Sequence, residues 1–238
     1  MRANDQQVVR ALHLFAEMQE AHFRSLMSAA LLQSFPPHVV LIREGELPDF
    51  LHVLVAGAVE MYASHGGRET TLQVIVPTTT FILVPVVREE VPLMSARTLE
   101  KSRVLMIPAD AVREIFGRDT AFARAVVVEL ALRFRDLVRA LKNQKLRTGT
   151  ERLANWILQT DARTGRTGHV MLPFEKRLLA SLLGMTPENL SRSFNSLTSH
   201  GVKTEARAIV IKKREKLQRF AQEDPLIEEL SSATRRKR

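Results

Sequence analysis

Cysteine is absent from the 238 residues of this chain. That excludes disulfides, thiolate zinc sites, a cysteine nucleophile and a cysteine-ligated iron–sulfur cluster. Long apolar runs are also missing. The longest, Phe81 to Val87, is interrupted by Pro85 and is far too short to span a bilayer. The opening Met1-Arg2-Ala3-Asn4-Asp5 has no apolar segment of the signal-peptide kind, so a soluble cytoplasmic protein with no membrane partner is expected. No nucleophile elbow, Walker loop or dinucleotide-binding glycine fingerprint occurs, and an enzyme is not expected. None of the seven histidines pairs with another at metal-ligand spacing, which leaves no zinc or non-haem iron motif.

What is present is an uneven distribution of charge. The chain is 45% hydrophobic, enough to bury real cores, and carries a formal net charge of +9. From Glu151 onward there are 17 Lys and Arg against 10 Asp and Glu, or +7, whereas the first 150 residues hold 18 against 16, or +2. A near-neutral first part joined to a basic second part favours a polyanion as the partner of the second.

Residues 5–33 read as an opening amphipathic helix, with Leu12, Phe15, Phe23, Leu26 and Met27 at helical spacing, ended by Phe35-Pro36-Pro37. Residues 38–108 change character. Val39 to Ile42, Leu51 to Val55, Val59 to Tyr62, Thr70 to Val76, Phe81 to Val87 and Arg103 to Ile107 are short strand-like runs. Gly45-Glu46, Pro48-Asp49, Ala56-Gly57 and Gly66-Gly67 punctuate them as turns. The pattern predicts an antiparallel roll or barrel. A long helix follows over about 119–146. Val127, Leu130, Phe134, Leu137 and Leu141 step 3, 4, 3, 4 along it, and Ala123 continues the pattern backwards, an a/d seam over about three heptads. Val126, Val128 and Leu132 form a second apolar set. One face is expected to pack on the roll and the other to pair with a second copy of the chain. Thr148-Gly149-Thr150 is a candidate hinge.

In the basic part, Arg152 to Leu158 reads as a helix carrying the sole Trp, Trp156, and residues 164–168 as a loop. Phe174 to Leu183 reads as a short helix with Leu178, Leu179, Leu182 and Leu183 inward. Gly184-Met185 is a turn, and Thr186-Pro187-Glu188 is a strong helix start: Thr can accept orphan N–H groups, Pro suits the first position, and an early Glu suits the positive helix end. The second helix should run to about Ser199 with Leu190, Phe194 and Leu197 inward. This is a helix-turn-helix layout, whose second helix enters the major groove of double-stranded DNA. Glu188, Asn189, Ser191, Arg192, Ser193, Asn195 and Ser196 should then face outward. Arg can fork to guanine and Glu can accept from the cytosine amino group, so Glu188 and Arg192 are base-reading candidates. Ser and Asn can hold phosphates, which makes Thr186, Asn189 and Ser193 backbone candidates. Val202-Lys203-Thr204 and Ala208 to Ile211 predict a strand–turn–strand wing whose Lys203 and Arg207 would also reach the duplex backbone. Lys212, Lys213, Arg214, Lys216 and Arg219 extend the positive surface, and Arg235 to Arg238 form a basic tail.

The order helix, β-roll, long helix and winged helix-turn-helix resembles the CRP/FNR family of bacterial transcription regulators over about residues 10–222. Arg43-Glu44-Gly45-Glu46-Leu47-Pro48-Asp49 and Val55-Ala56-Gly57-Ala58-Val59 resemble that family's two turn signatures in the roll. Leu183 to Arg192 is similar to its recognition segment, and the arrangement of Glu188, Ser191 and Arg192 resembles the FNR/FixK/DNR branch. The resemblance implies that these three residues read a TTGAT-like half-site in a palindrome, that the chain acts as a homodimer, that RNA polymerase is a partner, and that the signal is redox, oxygen or nitric oxide. The implied fold is α+β: an antiparallel β-roll of the cyclic-nucleotide-binding kind over 1–118, a dimerisation helix over 119–147, a winged helix-turn-helix over 148–222, and a basic, disordered tail over 223–238.

Departures from the family are equally informative. The cyclic-AMP-binding members hold the nucleotide with a Gly-Glu pair and an Arg-Ser pair. Here Thr78 to Leu83 and Pro92-Leu93-Met94-Ser95 stand in those places. Without the Arg, a bound phosphate would bury an uncompensated charge, which argues against cyclic AMP. The region is apolar instead, and Phe81, Leu83, Val86, Leu93 and Met94 are candidates for an effector pocket. That pocket would take a hydrophobic ligand or haem on a His ligand, or the roll would be a packed scaffold only. Two other functions compete: a ligand-binding module that signals through a protein partner, and a non-specific nucleic-acid binder.

Overall fold

The computed structural model describes residues 3–172, 174–205 and 208–228. It divides into two compact units, residues 1–133 and 134–238, with the boundary inside one long helix. No helix among the described residues is long and apolar enough to cross a membrane.

The first unit opens with α1 (Ala3–Arg10), α2 (His13–Ala16) and α3 (Glu20–Ala29). Strands β1 (Leu31–Phe35), β2 (Val40–Ile42), β3 (Phe50–Ala56), β4 (Val59–His65), β5 (Arg68–Ile75) and β6 (Thr79–Phe81) follow. After α4 (Leu83–Arg88) come β7 (Ser95–Thr98), β8 (Ser102–Pro108), α5 (Ala109–Arg118) and α6 (Thr120–Leu146). The strands form two antiparallel four-stranded sheets, ordered β1-β8-β3-β6 and β2-β7-β4-β5. Alternate side chains point to opposite faces of a strand, yet Leu51, Val53 and Leu54 of β3 and Val104, Leu105 and Ile107 of β8 are all fully buried. Helices α1, α3 and α5 contact this sheet, and Val59, Met61, Ile75 and Ala96 of the other sheet share its core. Burial on both faces is why these strands read as unbroken apolar runs.

On the opposite face of β4 the pattern is polar. The Arg97 guanidinium donates to Glu60 at 2.7 Å and Glu69 at 2.9 Å and lies 4.2 Å from the Tyr62 ring centroid. Thr71 donates its hydroxyl to the other Glu60 oxygen at 2.6 Å, so the buried Glu60 carboxylate is fully engaged. Gly57 turns β3 into β4 at φ +94°. A Cβ there would meet the Ser102 Oγ at 2.3 Å and the Lys101 carbonyl at 2.8 Å, so only glycine fits.

The expected roll is present, with three corrections. Residues 5–33 are not one helix: the chain breaks after Arg10 and again at Glu17–Gln19, and Leu31–Phe35 is a strand paired with β8 from Leu31↔Met106 to Phe35↔Ser102. Pairing to β8 satisfies the backbone of both, which helical spacing among Leu12, Phe15 and Phe23 could not reveal. The run Phe81 to Val87 stops being strand at Phe81. Ile82 adopts φ +57° and α4 begins, with Pro85 in its first turn, where a missing N–H costs nothing. Strand β7 carried no signal of its own. The long helix falls as expected. Asp119 caps it by accepting the Phe122 N–H at 2.9 Å, and Phe122, Ala125 and Val126 sink into the roll's core.

The second unit holds the remainder of α6, then α7 (Gly149–Arg163), β9 (His169–Met171), α8 (Lys176–Leu182), α9 (Pro187–Thr198), β10 (Val202–Thr204), β11 (Ala208–Ile211), α10 (Arg214–Ala221) and α11 (Pro225–Glu228). Leu153, Ile157, Val170, Leu179, Leu190, Leu197 and Leu217 form its core. The three strands make one sheet ordered β10-β11-β9. β9 is a third strand on the expected two-stranded wing.

His52 on β3 is buried beside Phe81, ring centroids 5.2 Å apart, and its Nδ1 has no hydrogen-bond partner. Burial pushes its pKa down to about 4, opposed only in part by a hydrogen bond with the Phe50 backbone. A depressed folded-state value means that the stabilising neutral form is intact above 6.5 and that its contribution is lost as pH falls towards 4. The stability of the wild type relative to His52→Leu, measured by urea unfolding at stepped pH, should therefore fall by about 1.4 kcal/mol per pH unit across that window. A difference independent of pH would show that His52 is solvated.

Candidate nucleic-acid interface

The basic unit builds its exposed face from α8, α9 and the wing. Three features fix where α9 starts. Gly184 turns the chain at φ +62°, and a Cβ there would strike the Gln144 side chain at 2.5 Å. The Thr186 hydroxyl accepts the Asn189 N–H at 3.3 Å as N-cap, and Pro187 occupies the first helical turn. Hydrogen bonds from the Glu188 N–H and the Thr186 hydroxyl, helped by the nearby Arg192 charge, hold the Glu188 carboxyl below the usual range. Glu188 is thus an anion seated on the positive end of α9.

The phase of α9 follows from what it buries. Leu190, Ser193, Phe194 and Leu197 recur at i, i+3, i+4 and i+7 and are all buried. Glu188, Ser191, Arg192 and Asn195, in an i, i+3, i+4, i+7 register of their own, share one exposed stripe, and Asn189 and Ser196 are exposed as well. The three candidate base readers therefore lie together in solvent. Ser193 does not join them. Its polarity suits an outward position, but its phase places it among the apolar positions, where its Oγ lies 3.0 Å from the Thr150 Oγ1, so the expected phosphate contact is not available to it.

The wing pairs Val202↔Ile211, Lys203↔Val210 and Thr204↔Ile209. Gly201 ends the turn after α9 at φ +84°, where a Cβ would meet Lys213 at 2.4 Å. Lys203 is exposed with its Nζ 3.0 Å from Glu205. Arg207 and the tail residues Arg235 to Arg238 lie outside the described residues. Lys212, Lys213, Lys216 and Arg219 are exposed, but Arg214 pairs with the buried Asp161 carboxylate and so serves the fold. The sequence reading missed Lys176 and Arg177, exposed at the start of α8. It also missed Arg152, whose buried guanidinium donates to the Leu183 carbonyl at 2.8 Å and the Gly184 carbonyl at 3.3 Å, holding the turn before α9.

Along α6, Val127, Phe134, Leu137 and Leu141 are exposed, Phe134 and Leu137 to 67% each. Leu130, placed in the same seam, is half-buried and packs on the roll's core. Large apolar side chains left in such a solvent-facing row are the pattern that association surfaces show in other proteins. The candidate hinge Thr148-Gly149-Thr150 lies at the start of α7, where Thr148 and Glu151 form a capping box.

Four of the five apolar effector candidates gather at the roll's core and the fifth does not. Phe81, Leu83 and Val86 are buried in the roll's core, Met94 packs on it partly, and Leu93 is 77% exposed. Ser95, where an Arg-Ser pair would end, has its Oγ engaged by the Glu44 N–H at 3.0 Å.

Two family models match in tandem. A cyclic nucleotide-binding domain matches residues 32–119, and a Crp-like helix-turn-helix domain matches residues 151–220. No curated protein matches the chain. Among solved structures, FixK2 from Bradyrhizobium japonicum is 24% identical, with a TM-score of 0.69, over 80% of this chain and 96% of that one. A candidate cyclic nucleotide binding protein from Ruegeria pomeroyi DSS-3 is 26% identical, with a TM-score of 0.61, over 94% of this chain and 100% of that one. A candidate transcriptional regulator of the Crp/Fnr family from Eubacterium rectale ATCC 33656 is 18% identical, with a TM-score of 0.72, over 88% of this chain and 98% of that one.

Proposed function

Because the chain belongs to the CRP/FNR family of transcription regulators, with a DNA-binding helix-turn-helix unit, we propose that it acts as a homodimer on a palindromic operator with TTGAT-like half-sites. Glu188, Ser191 and Arg192 read bases. Thr186, Asn189 and Lys203 set the register through phosphates. RNA polymerase is a further partner. One observation carries this reading: Glu188, Ser191 and Arg192 share the solvent-facing stripe of a helix whose opposite stripe is fixed in the unit's core. The exposed row Phe134, Leu137 and Leu141 lies in the same unit. Pairing two chains along that row would present two copies of α9 to successive major grooves about 34 Å apart.

The signal is where this reading narrows. Cyclic AMP is disfavoured: Pro92 to Ser95 offer no cation for a phosphate. Haem does not fit either. His52 is the one buried histidine of the seven, and its ring lies tilted at 32° against Phe81 with the surrounding apolar side chains packed as core. The chain has no cysteine and its other six histidines lie outside the roll's buried core, so these residues do not favour a redox, oxygen or nitric-oxide signal. The roll is best read as a packed scaffold that carries α6.

Gel shifts with a palindromic and a scrambled duplex at physiological salt test the DNA reading. Arg192→Ala should weaken binding to the palindrome by about 1–3 kcal/mol and relax preference at one base position. Equal loss on both duplexes would make Arg192 a phosphate contact. Phe134→Asp places a charge in the proposed seam and should shift sedimentation from dimer to monomer and abolish preference for the palindrome. An unchanged sedimentation profile would refute that seam.

A further inference from the structure

The second unit continues past residue 220, where the match to the helix-turn-helix model ends. After α10 the chain reverses at Gln222, φ +47°. Asp224 then starts α11, its Oδ1 accepting the Leu226 N–H at 2.9 Å. The short segment Gln222–Glu228 comes back to Arg147, the residue between the end of α6 and the cap of α7. Arg147 is buried, and its guanidinium is spread over three acceptors: the Glu228 carboxylate, the Gln222 carbonyl at 2.9 Å and the Asn143 side chain at 3.2 Å. Lys142 on α6 stands 3.8 Å from Asp224.

From Arg147 a chain of hydrogen bonds leads to the reading helix. The Arg147 carbonyl accepts from Arg152 at 2.7 Å, and the same guanidinium donates to Leu183 and Gly184 in the turn that aims α9. Asn155 of α7 donates to the Ala221 carbonyl at 2.7 Å, tying the base of the returning segment to the same helix. Without this segment, the α6–α7 junction would be two helices joined by two residues, one of them an arginine with its charge buried.

We propose that Gln222–Glu228 is a strap that locks the α6–α7 junction through Arg147, making Arg147 and Glu228 positioning residues that hold α9 at a fixed angle to the seam-bearing end of α6. Two copies of α9 can match two half-sites only if that angle is stiff, so the strap acts on specificity rather than on attraction to the duplex. The proposal rests on the DNA-binding reading above for its consequence, but not for the clamp itself.

The test uses the full chain, with Glu228→Ala, Glu228→Gln and, as control, Leu226→Ala, an exposed α11 position. Two readouts are needed: amide hydrogen exchange across residues 143–152, and affinity for the palindromic and scrambled duplexes. Glu228→Ala should speed exchange at the junction and weaken binding to the palindrome, each on the order of tenfold, with binding to the scrambled duplex unchanged. Glu228→Gln, which keeps a hydrogen-bond acceptor, should fall between it and the wild type, and Leu226→Ala should match the wild type. Exchange and palindrome affinity equal to those of the control would overturn the strap. So would parallel loss on both duplexes, the mark of a general loss of fold. If the wild type itself does not distinguish the two duplexes, the DNA reading fails, and the exchange result alone still decides whether Glu228 clamps the junction.

Discussion

The burial of Leu190, Phe194 and Leu197 against the core of the second unit sets the rotational phase of α9, and with it the identity of every side chain that can meet a duplex. A helix turns about 100° per residue, so slipping the buried set back by one position, to 189, 192, 193 and 196, would carry Asn189 and Arg192 towards the core. The start of the helix is pinned as firmly as its phase. Thr186 caps it, Pro187 opens it, and Arg152 holds the carbonyls of the preceding turn. The exposed face proposed to read bases is therefore set by the fold itself, and preorganisation of that kind lowers the ordering cost of binding.

The roll works by a different logic. Its central strands bury both faces, Glu60 and Glu69 are closed on Arg97, and Phe81, Leu83 and Val86 enter the core. The buried His52 fits this picture: it is kept neutral by its surroundings and carries no charge that a ligand would have to meet.

Features written in local chemistry were legible in the sequence. The sustained apolar period of 120–146 and the Thr186-Pro187-Glu188 start both encode their structure within a few turns of chain, and both elements lie where they were expected. Features set by partners distant in sequence were not. β1, β7 and β9 are strands of three to five residues whose reason for being extended is the neighbouring strand. Val-rich α4 looked like strand because β-branched residues favour pleated backbone, yet Ile82 turns the chain before it can pair. Ser193 was misassigned because its polarity was weighed above its phase. The tail expected from 223 onward in fact begins with α11, and the Arg147–Glu228 pair that anchors it joins residues 81 apart, a separation at which neither side chain announces the other.

The claim on which the regulator reading stands is that α9 enters a groove and is presented twice by a symmetric pair. Hydroxyl-radical footprinting of the wild-type protein on a site selected from random duplex tests it most directly. Two equivalent protected patches, centred about one helical turn of DNA apart and related by the dyad of the selected sequence, are expected. A single patch, or uniform protection with no selected sequence, would contradict it.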